Sequence, residues 1–372
     1  MKKTITLLLV ISLLFIAWPG CKKANESKPV ISKFAYYGWA VGAYQNTNGF
    51  LIHTKDGGKN WNAQSNADQL LTGLEDFCII DENTLLTVGD HTEDGTPHVL
   101  KSTDGGNNWS PAGAADLINA DYCCIYNLNN EHLFIVGDSG SIYRSDNLGG
   151  SWNRINVPDK YKECNFLRIA VNTVNDIWVV GDYFAPDTTP IMLHTMDGGA
   201  SWERPDPIKD LNITPAIGTN GHYLAIKLYG NSIWAIGGFG AFTVRSTDNG
   251  ATWTDVSVPA VGTGDANDLF LLSETEAYLA LDFGSFFSTS DGGQNWTKYY
   301  PQTNDWLLGI AIQDETHIWV CGSPGGAEEY AQVIYSKDAG TTWTDQTPEF
   351  MKNTLDYTLY KIRFMKHQWV ED

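Results

Sequence analysis

The sequence is short of positive charge, of long apolar segments and of helical pattern. It has 24 Lys and Arg against 44 Asp and Glu, a formal charge of −20 at pH 7. So acidic a surface repels phosphate backbones, which argues against nucleic acid as a partner. The longest mainly apolar run, residues 5–17, is too short to span a bilayer comfortably. No segment repeats apolar residues with the helical period of about 3.6, so the pattern indicates an all-β protein.

Residue patterns that usually carry catalysis or metal binding are also missing. The eight histidines are scattered, and the sequence has no phosphate-binding glycine loop and no compact run of calcium ligands. We therefore predict no catalytic residue, no metal and no cofactor. Five cysteines follow residue 21, an odd number that leaves at least one free thiol. A disulfide within the set Cys78, Cys123, Cys124 and Cys164 is left open.

Residues 1–20 have the features of a secretion signal. Lys2 and Lys3 precede the apolar run, and Gly20 precedes Cys21, as in the cleavage motif of bacterial lipoproteins. We expect a lipid on Cys21, a polar tether over residues 21–29 and a single domain over residues 30–372. The expected location is the periplasm or the cell surface, with membrane contact only through the lipid. The alternative is ordinary cleavage nearby with Cys21 unmodified.

One motif, Ser/Thr-x-Asp-x-Gly-x-x-Trp, recurs seven times and sets the organisation of the chain. Its tryptophans are Trp61, Trp109, Trp152, Trp202, Trp253, Trp296 and Trp343. A spacing of about 40 to 50 residues is typical of one four-stranded propeller blade. Two apolar, alternating segments precede each motif, as expected for the inner strands of a blade. The sequence therefore predicts an all-β, seven-bladed β-propeller of four-stranded antiparallel blades, and we expect a monomer.

The acidic position of the motif has two interpretations. Its seven residues are Asp56, Asp104, Asn147, Asp197, Asp248, Asp291 and Asp338. A side-chain oxygen at this position can accept hydrogen bonds from its own turn, which makes the motif structural. The alternative is a sugar or metal site in every blade. A scaffold residue is needed in all blades and a ligand site only once, so the structural interpretation is favoured.

The first blade lacks its innermost strand at the start of the chain. Residues 359–365, after the seventh motif, read as such a strand. We expect this segment to complete blade one and to close the ring by pairing the two chain ends, which removes open sheet edges.

Units such as IWVVGD…LHTMDGGASW and LFIVGDSGSIYRSDNLGGSW resemble the BNR or Asp-box propellers of the photosystem II stability/assembly factor type. The resemblance covers nearly the whole chain after the signal. It implies a propeller that acts as a non-catalytic binding scaffold. The same repeat also occurs in sialidases, xyloglucan-active glycosidases and sortilin-type receptors, so the resemblance implies fold more strongly than function.

The predicted binding face is the one opposite the Asp-box turns, because its loops differ in length between blades. The loops over residues 43–49, 90–97, 182–190 and 323–331 are long. The candidate binding residues on this face are Tyr44, Asp90, Glu93, Asp94, Asp182, Tyr183, Glu328, Glu329 and Tyr330. Aromatic side chains beside carboxylates suit a protein or carbohydrate partner.

Two enzymatic alternatives follow from the same repeat. A sialidase needs three converging arginines, and only Arg168 and Arg363 of the six arginines fall on inner strands, which disfavours that activity. A glycoside hydrolase needs only two carboxylates about 5–10 Å apart, which an acidic face could provide. The favoured function is a non-catalytic binding or assembly scaffold, and a glycan-active hydrolase is the alternative.

Overall fold

Seven small antiparallel sheets follow one another along the chain, as the repeat predicts. The structure is a computed structural model that describes residues 32–44, 48–64, 70–96, 98–183, 189–213, 221–238, 240–259, 264–301, 303, 306–325, 330–352 and 356–370. Residues Ala35–His367 form one compact unit. The signal peptide, Cys21 and the tether lie outside the described residues.

Each blade is numbered after its Asp box. The strands of blades one to four are β1 (Ser32–Tyr44), β2 (Asn48–Thr54) and β3 (Asn62–Ala63); β4 (Leu74–Ile79), β5 (Leu85–Gly89), β6 (Val99–Ser102) and β7 (Ser110–Pro111); β8 (Tyr122–Asn127), β9 (Leu133–Gly137), β10 (Ser141–Ser145) and β11 (Asn153–Arg154); β12 (Phe166–Val171), β13 (Ile177–Tyr183) and β14 (Pro190–Thr195). Those of blades five to seven are β15 (Tyr223–Tyr229), β16 (Ser232–Gly237), β17 (Thr243–Ser246) and β18 (Thr254–Asp255); β19 (Ala266–Leu271), β20 (Ala277–Leu281), β21 (Phe286–Thr289) and β22 (Thr297–Tyr299); β23 (Trp306–Ile312), β24 (Ile318–Ser323), β25 (Val333–Ser336) and β26 (Thr344–Asp345). The last strand, β27 (Tyr357–Val370), belongs to blade one.

Six blades have the predicted four strands. In blade four the outer strand is reduced to a single bridge between His194 and Glu203. Two 3₁₀ turns (Ala114–Asp116 and Asp159–Tyr161) and one four-residue helix, α1 (Pro207–Asp210), connect blades. Within the described ranges no helix is long and apolar enough to cross a membrane.

The hydrophobic core lies between the blades. Each of seven buried clusters combines residues of two consecutive blades, and one cluster joins blade seven to blade one. The second strands β5, β9 and β20 are buried along their whole length because they are covered on both faces. A core divided in this way makes each blade depend on its two neighbours.

The ring closes by pairing the chain ends. The sheet order of blade one is β27-β1-β2-β3, so the last strand is the innermost one. Leu359, Ile362 and Phe364 are buried in the cluster between blades seven and one. The prediction for residues 359–365 is confirmed, and the strand is longer at both ends.

The Asp box is a hydrogen-bonded turn. In blade one the Thr54 hydroxyl accepts from the Gly58 N–H at 3.0 Å and donates to Asp56 Oδ1 at 2.8 Å. Asp56 Oδ1 also accepts from the Asn60 N–H at 2.9 Å, and Oδ2 accepts from the Asn60 side chain at 2.7 Å. Gly58 has a φ of +85°, which favours glycine. The box acceptor thus hydrogen-bonds within its own turn, and two further groups take part: the hydroxyl and the residue before Trp.

Blade three shows why asparagine is tolerated in the box. Asn147 Oδ1 accepts from the Ser151 N–H at 2.9 Å, as an aspartate would. Its Nδ2 donates to the Ser151 hydroxyl at 2.9 Å, whereas in blade four the Ser201 hydroxyl donates to Asp197 Oδ2. The hydrogen bond between the two side chains is therefore kept, but the box residue is its donor in blade three and its acceptor in blade four. In the aspartate boxes these hydrogen bonds favour the ionised form, and the Ser201 contacts lower the pKa of Asp197 to about 2.

The five cysteines after residue 21 are all free thiols. Cys78 and Cys123 lie on the first strands of adjacent blades, β4 and β8. Their registers differ, because Leu74 and Tyr122 occupy equivalent positions opposite Gly89 and Gly137. No disulfide therefore joins these strands.

Candidate functional site

The propeller presents two different faces. In five blades the Asp-box turn hydrogen-bonds to the turn between the first and second strands of the same blade, as Gly105 N–H does to Asn83 O at 2.8 Å. These turns form the box face. The connections between the second and third strands, and those from one blade to the next, form the opposite face, here called the loop face. This is the division that the sequence predicts.

The loop face carries most of the exposed apolar surface of the described residues. Seven large apolar side chains are exposed: Leu71, Met196, Tyr229, Phe283, Tyr300, Trp306 and Phe350. Five of them lie on the loop face. Only Met196, in an Asp box, and Tyr229, at the end of β15, lie on the box face. An apolar excess on one face is typical of a surface that binds a partner.

A groove lies on the loop face where blades one and two meet. It is a cavity of about 1090 Å³ that includes Leu71, Leu100 and Trp109 on its apolar side. Asp90, Glu93 and Asp94 are on its polar side. Three of the nine predicted binding residues are thus brought together beside an apolar surface.

The three carboxylates of the groove have different roles. Glu93 is exposed to solvent. Asp94 stabilises its own loop, since its Oδ1 accepts from the Thr96 N–H at 3.0 Å and from the Thr92 hydroxyl. These bonds hold the pKa of Asp94 below its usual range. Asp90 is half-buried, and burial followed by the charge of Asp121 raises its pKa.

Further carboxylates lie on the loop face around the mouth of the central channel, the space that the first strands of the blades enclose. Asp90 and Asp138 directly follow strands β5 and β9. Asp182 lies near the end of β13. Burial raises the pKa of all three, and the charges of Asp121, Asp182 and Asp90 raise that of Asp138 further. The carboxylates close to Asp90 and Asp138 make this mouth strongly negative.

An aromatic cluster lies between blades seven and one. The ring of Tyr44 is 4.9 Å from that of Tyr357, which is 4.4 Å from that of Phe50. Exposed Phe350 packs edge-on against Phe50 at 6.3 Å. The expectation of a long loop over residues 43–49 is wrong, since Tyr44 pairs with Asn48 and the strands continue to that point.

The remaining predicted binding residues are not joined into one site. Tyr330 donates a hydrogen bond to Asp345 Oδ2 at 3.2 Å, and Lys352 forms an ion pair with the same carboxylate at 3.0 Å. The backbone of Tyr183 pairs with Pro190 in blade four, away from the groove. Glu328 and Glu329 lie outside the described residues.

The central channel contains a charged cluster that the sequence does not predict. Asp76, Arg168, Lys227, Asp268, Lys361 and Arg363 line one cavity of about 370 Å³ between the first strands. In blades two, four and six a β-bulge precedes the charged residue, at Asp76, Arg168 and Asp268. Charged residues inside apolar strands such as LEDFCI and FLRIAV were the available signal.

Two ion pairs join β27 to blades on either side. Arg363 Nη2 lies 2.6 Å from Asp76 Oδ1, and its Nε donates to the Phe77 carbonyl at 2.6 Å. Lys361 Nζ lies 3.3 Å from Asp268 Oδ1 in blade six. Burial would raise the pKa of Asp76, but the charges of Arg363, Lys361 and Arg168 hold it below its usual value.

The fold and these surfaces define a seven-bladed Asp-box β-propeller with an apolar, acidic loop face. Within the described residues no group of three or more His, Cys, Asp or Glu is placed to hold a metal ion. The chain belongs to the family described as photosynthesis system II assembly factor YCF48, whose model matches residues 31–160, 125–220 and 150–304. The family resemblance seen in the repeats is thus confirmed.

Two curated relatives carry the same family name or role. Photosystem II assembly lipoprotein Ycf48 of Synechococcus sp. (strain CC9902) is 27% identical over 227 residues, which are 58% of this chain and 62% of the relative. Photosystem II stability/assembly factor HCF136 of Arabidopsis thaliana is 22% identical over 285 residues, 74% of this chain and 69% of the relative. The chain therefore spans less than two thirds of the first relative's length.

Solved structures share the fold. YCF48 from Cyanidioschyzon merolae superposes with a TM-score of 0.56 at 18% identity, over 77% of this chain and 86% of that one. A structure of YCF48 bound to D1 peptide gives 0.57 at 17% identity, over 85% and 98%. The GH74 xyloglucanase from Xanthomonas campestris gives 0.51 at 13% identity, over 84% and 59%. At these identities the likeness concerns the fold alone.

Proposed function

We propose that this chain is a non-catalytic assembly scaffold that binds a protein segment on its loop face. The observation that carries the proposal is the placement of five of the seven exposed large apolar side chains there. A relative of the same fold was solved as YCF48 bound to D1 peptide, which supports a protein partner. The relatives are named as assembly factors, which supports an assembly role.

The proposed partner segment is apolar and neutral or basic. Leu71 is exposed and offers an apolar contact, and the buried residues Leu100 and Trp109 line the apolar side of the groove beneath it. Asp90 and Glu93 beside them repel acidic segments and attract basic ones, so binding weakens as salt increases. A rigid scaffold with an apolar centre and a polar rim is the usual arrangement of a protein interface.

Photo-crosslinking tests the choice of face. A photoreactive amino acid at Leu71 or Trp306 is expected to give a specific adduct with one partner protein in cells of the source organism. The same amino acid at Met196 or Tyr229 is the matched control, since these apolar side chains are equally exposed on the box face. Mass spectrometry of the adducts identifies the partner. Adducts from the control positions alone would show that the box face is the binding face.

The location of the scaffold is part of the proposal. We propose that the chain is secreted and anchored by a lipid on Cys21; one relative is named as a lipoprotein. Cys21→Ala is expected to move the protein from the membrane to the soluble fraction after cell fractionation. Cys78→Ala, at a buried free thiol, is the control for loss of a cysteine. Unchanged partitioning of Cys21→Ala would contradict lipid attachment at this residue.

A glycan-active hydrolase is the second candidate. The observation that favours it is the groove, where Asp90 and Glu93 lie beside Trp109, as carboxylates and an aromatic ring do in sugar sites. Release of reducing sugar by the purified protein, lost in both Asp90→Asn and Glu93→Gln, would support this candidate over the scaffold.

A further inference from the structure

The central channel has an unbalanced charge in its box-face half. The cavity of about 370 Å³ extends from Asp76, next to the bulge of β4, to Asn127, the last residue of β8. First strands run toward the box face, so this cavity lies on that side of the bulges. It is separate from the groove on the loop face, whose lining shares none of its residues.

Positive groups outnumber negative groups in this cavity. Four cationic side chains line it, namely Arg168, Lys227, Lys361 and Arg363, against the two carboxylates of Asp76 and Asp268. The chain as a whole has a charge of −20, so an internal cationic excess is not a consequence of composition. Buried charges without partners are costly, and a site that keeps them needs a compensating ion.

The two carboxylates already have their own partners. Asp76 accepts from Arg363 and from the N–H groups of Phe77 at 2.8 Å and Ile125 at 3.2 Å. Asp268 lies against Lys361 and accepts from the N–H groups of Leu269 and Ile310, both at 3.0 Å. The charges of Arg168 and Lys227 act on Asp76 and Asp268, but the ion pairs of these two carboxylates are with Arg363 and Lys361.

Arg168 and Lys227 are the two cations left over. Arg168 Nη1 donates to the carbonyls of Cys123 at 3.1 Å and Leu167 at 2.7 Å, which fixes the guanidinium without neutralising it. Its Nε is buried and has no hydrogen-bond partner. Among the described residues the side chain of Lys227 forms neither an ion pair nor a hydrogen bond. Both side chains are half-buried by solvent exposure, so the cavity remains open to small solutes.

A nearby carboxyl group, that of Glu75, does not cancel the excess of positive charge in the cavity. It lies in the bulge one residue before Asp76, outside the cavity lining. Burial raises the pKa of Glu75 to about 7, against the opposing charge of Arg168. At neutral pH it therefore carries only part of a negative charge, and an excess of at least one positive charge persists.

We propose that the channel binds one free oxyanion, a carboxylate or a phosphate, between Arg168 and Lys227. Guanidinium and ammonium groups donate charge-assisted hydrogen bonds to such oxygens. A cavity of about 370 Å³ admits a compact anion with its waters but not a folded partner. The site is independent of the protein-binding role proposed for the loop face.

Thermal unfolding of the full chain with and without added anions tests this site. Inorganic phosphate or succinate at about 20 mM is expected to raise the Tm by about 2 °C or more, on a saturable single-site curve. Sodium chloride at matched ionic strength is expected to give a smaller, non-saturating change. Comparing phosphate with succinate distinguishes the two sources of the oxyanion. Equal shifts with chloride would overturn the proposal.

Matched variants assign the site to the channel. Lys227→Gln is expected to weaken the apparent affinity for the better anion about tenfold, the loss of one charge-assisted hydrogen bond. Lys227→Arg keeps the charge and is expected to retain binding. Lys337→Gln removes an exposed cation from the box face and is expected to change nothing. Wild-type affinity in Lys227→Gln, measured by titration calorimetry, would overturn the proposal even if anions stabilise the protein.

Discussion

Truncation after Phe350 is expected to abolish the cooperative folding of the propeller. It removes β27, and with it the buried side chains of Leu359, Ile362 and Phe364. Burial of each such side chain contributes roughly 1.5–3 kcal/mol, so their loss approaches the total stability of roughly 5–15 kcal/mol expected for a protein. The edge of β1 is exposed as well, which favours aggregation. Circular dichroism and thermal unfolding measure the effect.

The control for this truncation keeps the packed part of the strand. Truncation after Lys366 retains Leu359, Lys361, Ile362, Arg363 and Phe364. It is expected to leave a cooperative transition with a much smaller loss of Tm. If the chain cut after Phe350 melts like the full chain, closure of the ring by β27 is not what stabilises it.

Arg363→Met is expected to lower the free energy of unfolding by about 3–5 kcal/mol, because it leaves the Asp76 carboxylate buried without its cation. Asp76 is 1% exposed, and Arg363 is its closest cation at 2.6 Å. Arg154→Met removes an exposed arginine from the outer strand of blade three and is the matched control, expected to cost within about 0.5 kcal/mol. Urea unfolding at neutral pH compares the two variants.

The loss in Arg363→Met depends on pH with a defined sign. Because the folded-state pKa of Asp76 is lowered, its ionisation stabilises the fold above the ordinary carboxyl pKa of about 4. That stabilisation disappears as the pH falls through the lowered folded-state pKa. The difference between wild type and Arg363→Met is therefore expected to narrow on acidification. A difference that stays constant with pH would show that Arg363 acts mainly through packing on Phe77.

The sequence predicts the blades well because one turn, repeated seven times, carries its own local chemistry. The hydroxyl of Thr54 and the side chain of Asn60 also belong to that turn, and a signal for them was present. The residue before each tryptophan is always Asn, Ser or Thr: Asn60, Asn108, Ser151, Ser201, Thr252, Asn295 and Thr342. All of these can hydrogen-bond to the box acceptor, as the structure shows for blade one.

The charged channel could not be predicted in the same way, because its members come from opposite ends of the chain. Asp76 and Arg363 are separated by 287 residues in sequence. Asp76 follows a bulge in β4, and a bulge is a property of backbone register. Register also explains why the prediction of a long loop over residues 43–49 is wrong. This polar run has the composition of a loop, but it begins and ends within paired strands.

The origin of blade one from both chain ends sets an order for folding. Blades two to seven use consecutive segments, so the strands within each of them can pair before β27 is available. Blade one waits for β27, which follows the strands of all the other blades in the chain, and until then β1 has no inner neighbour. Contacts between such distant segments form slowly, because a long loop must close before they contribute. Ring closure should therefore be the slow final phase of refolding, and a chaperone that shields β1 would act in that interval.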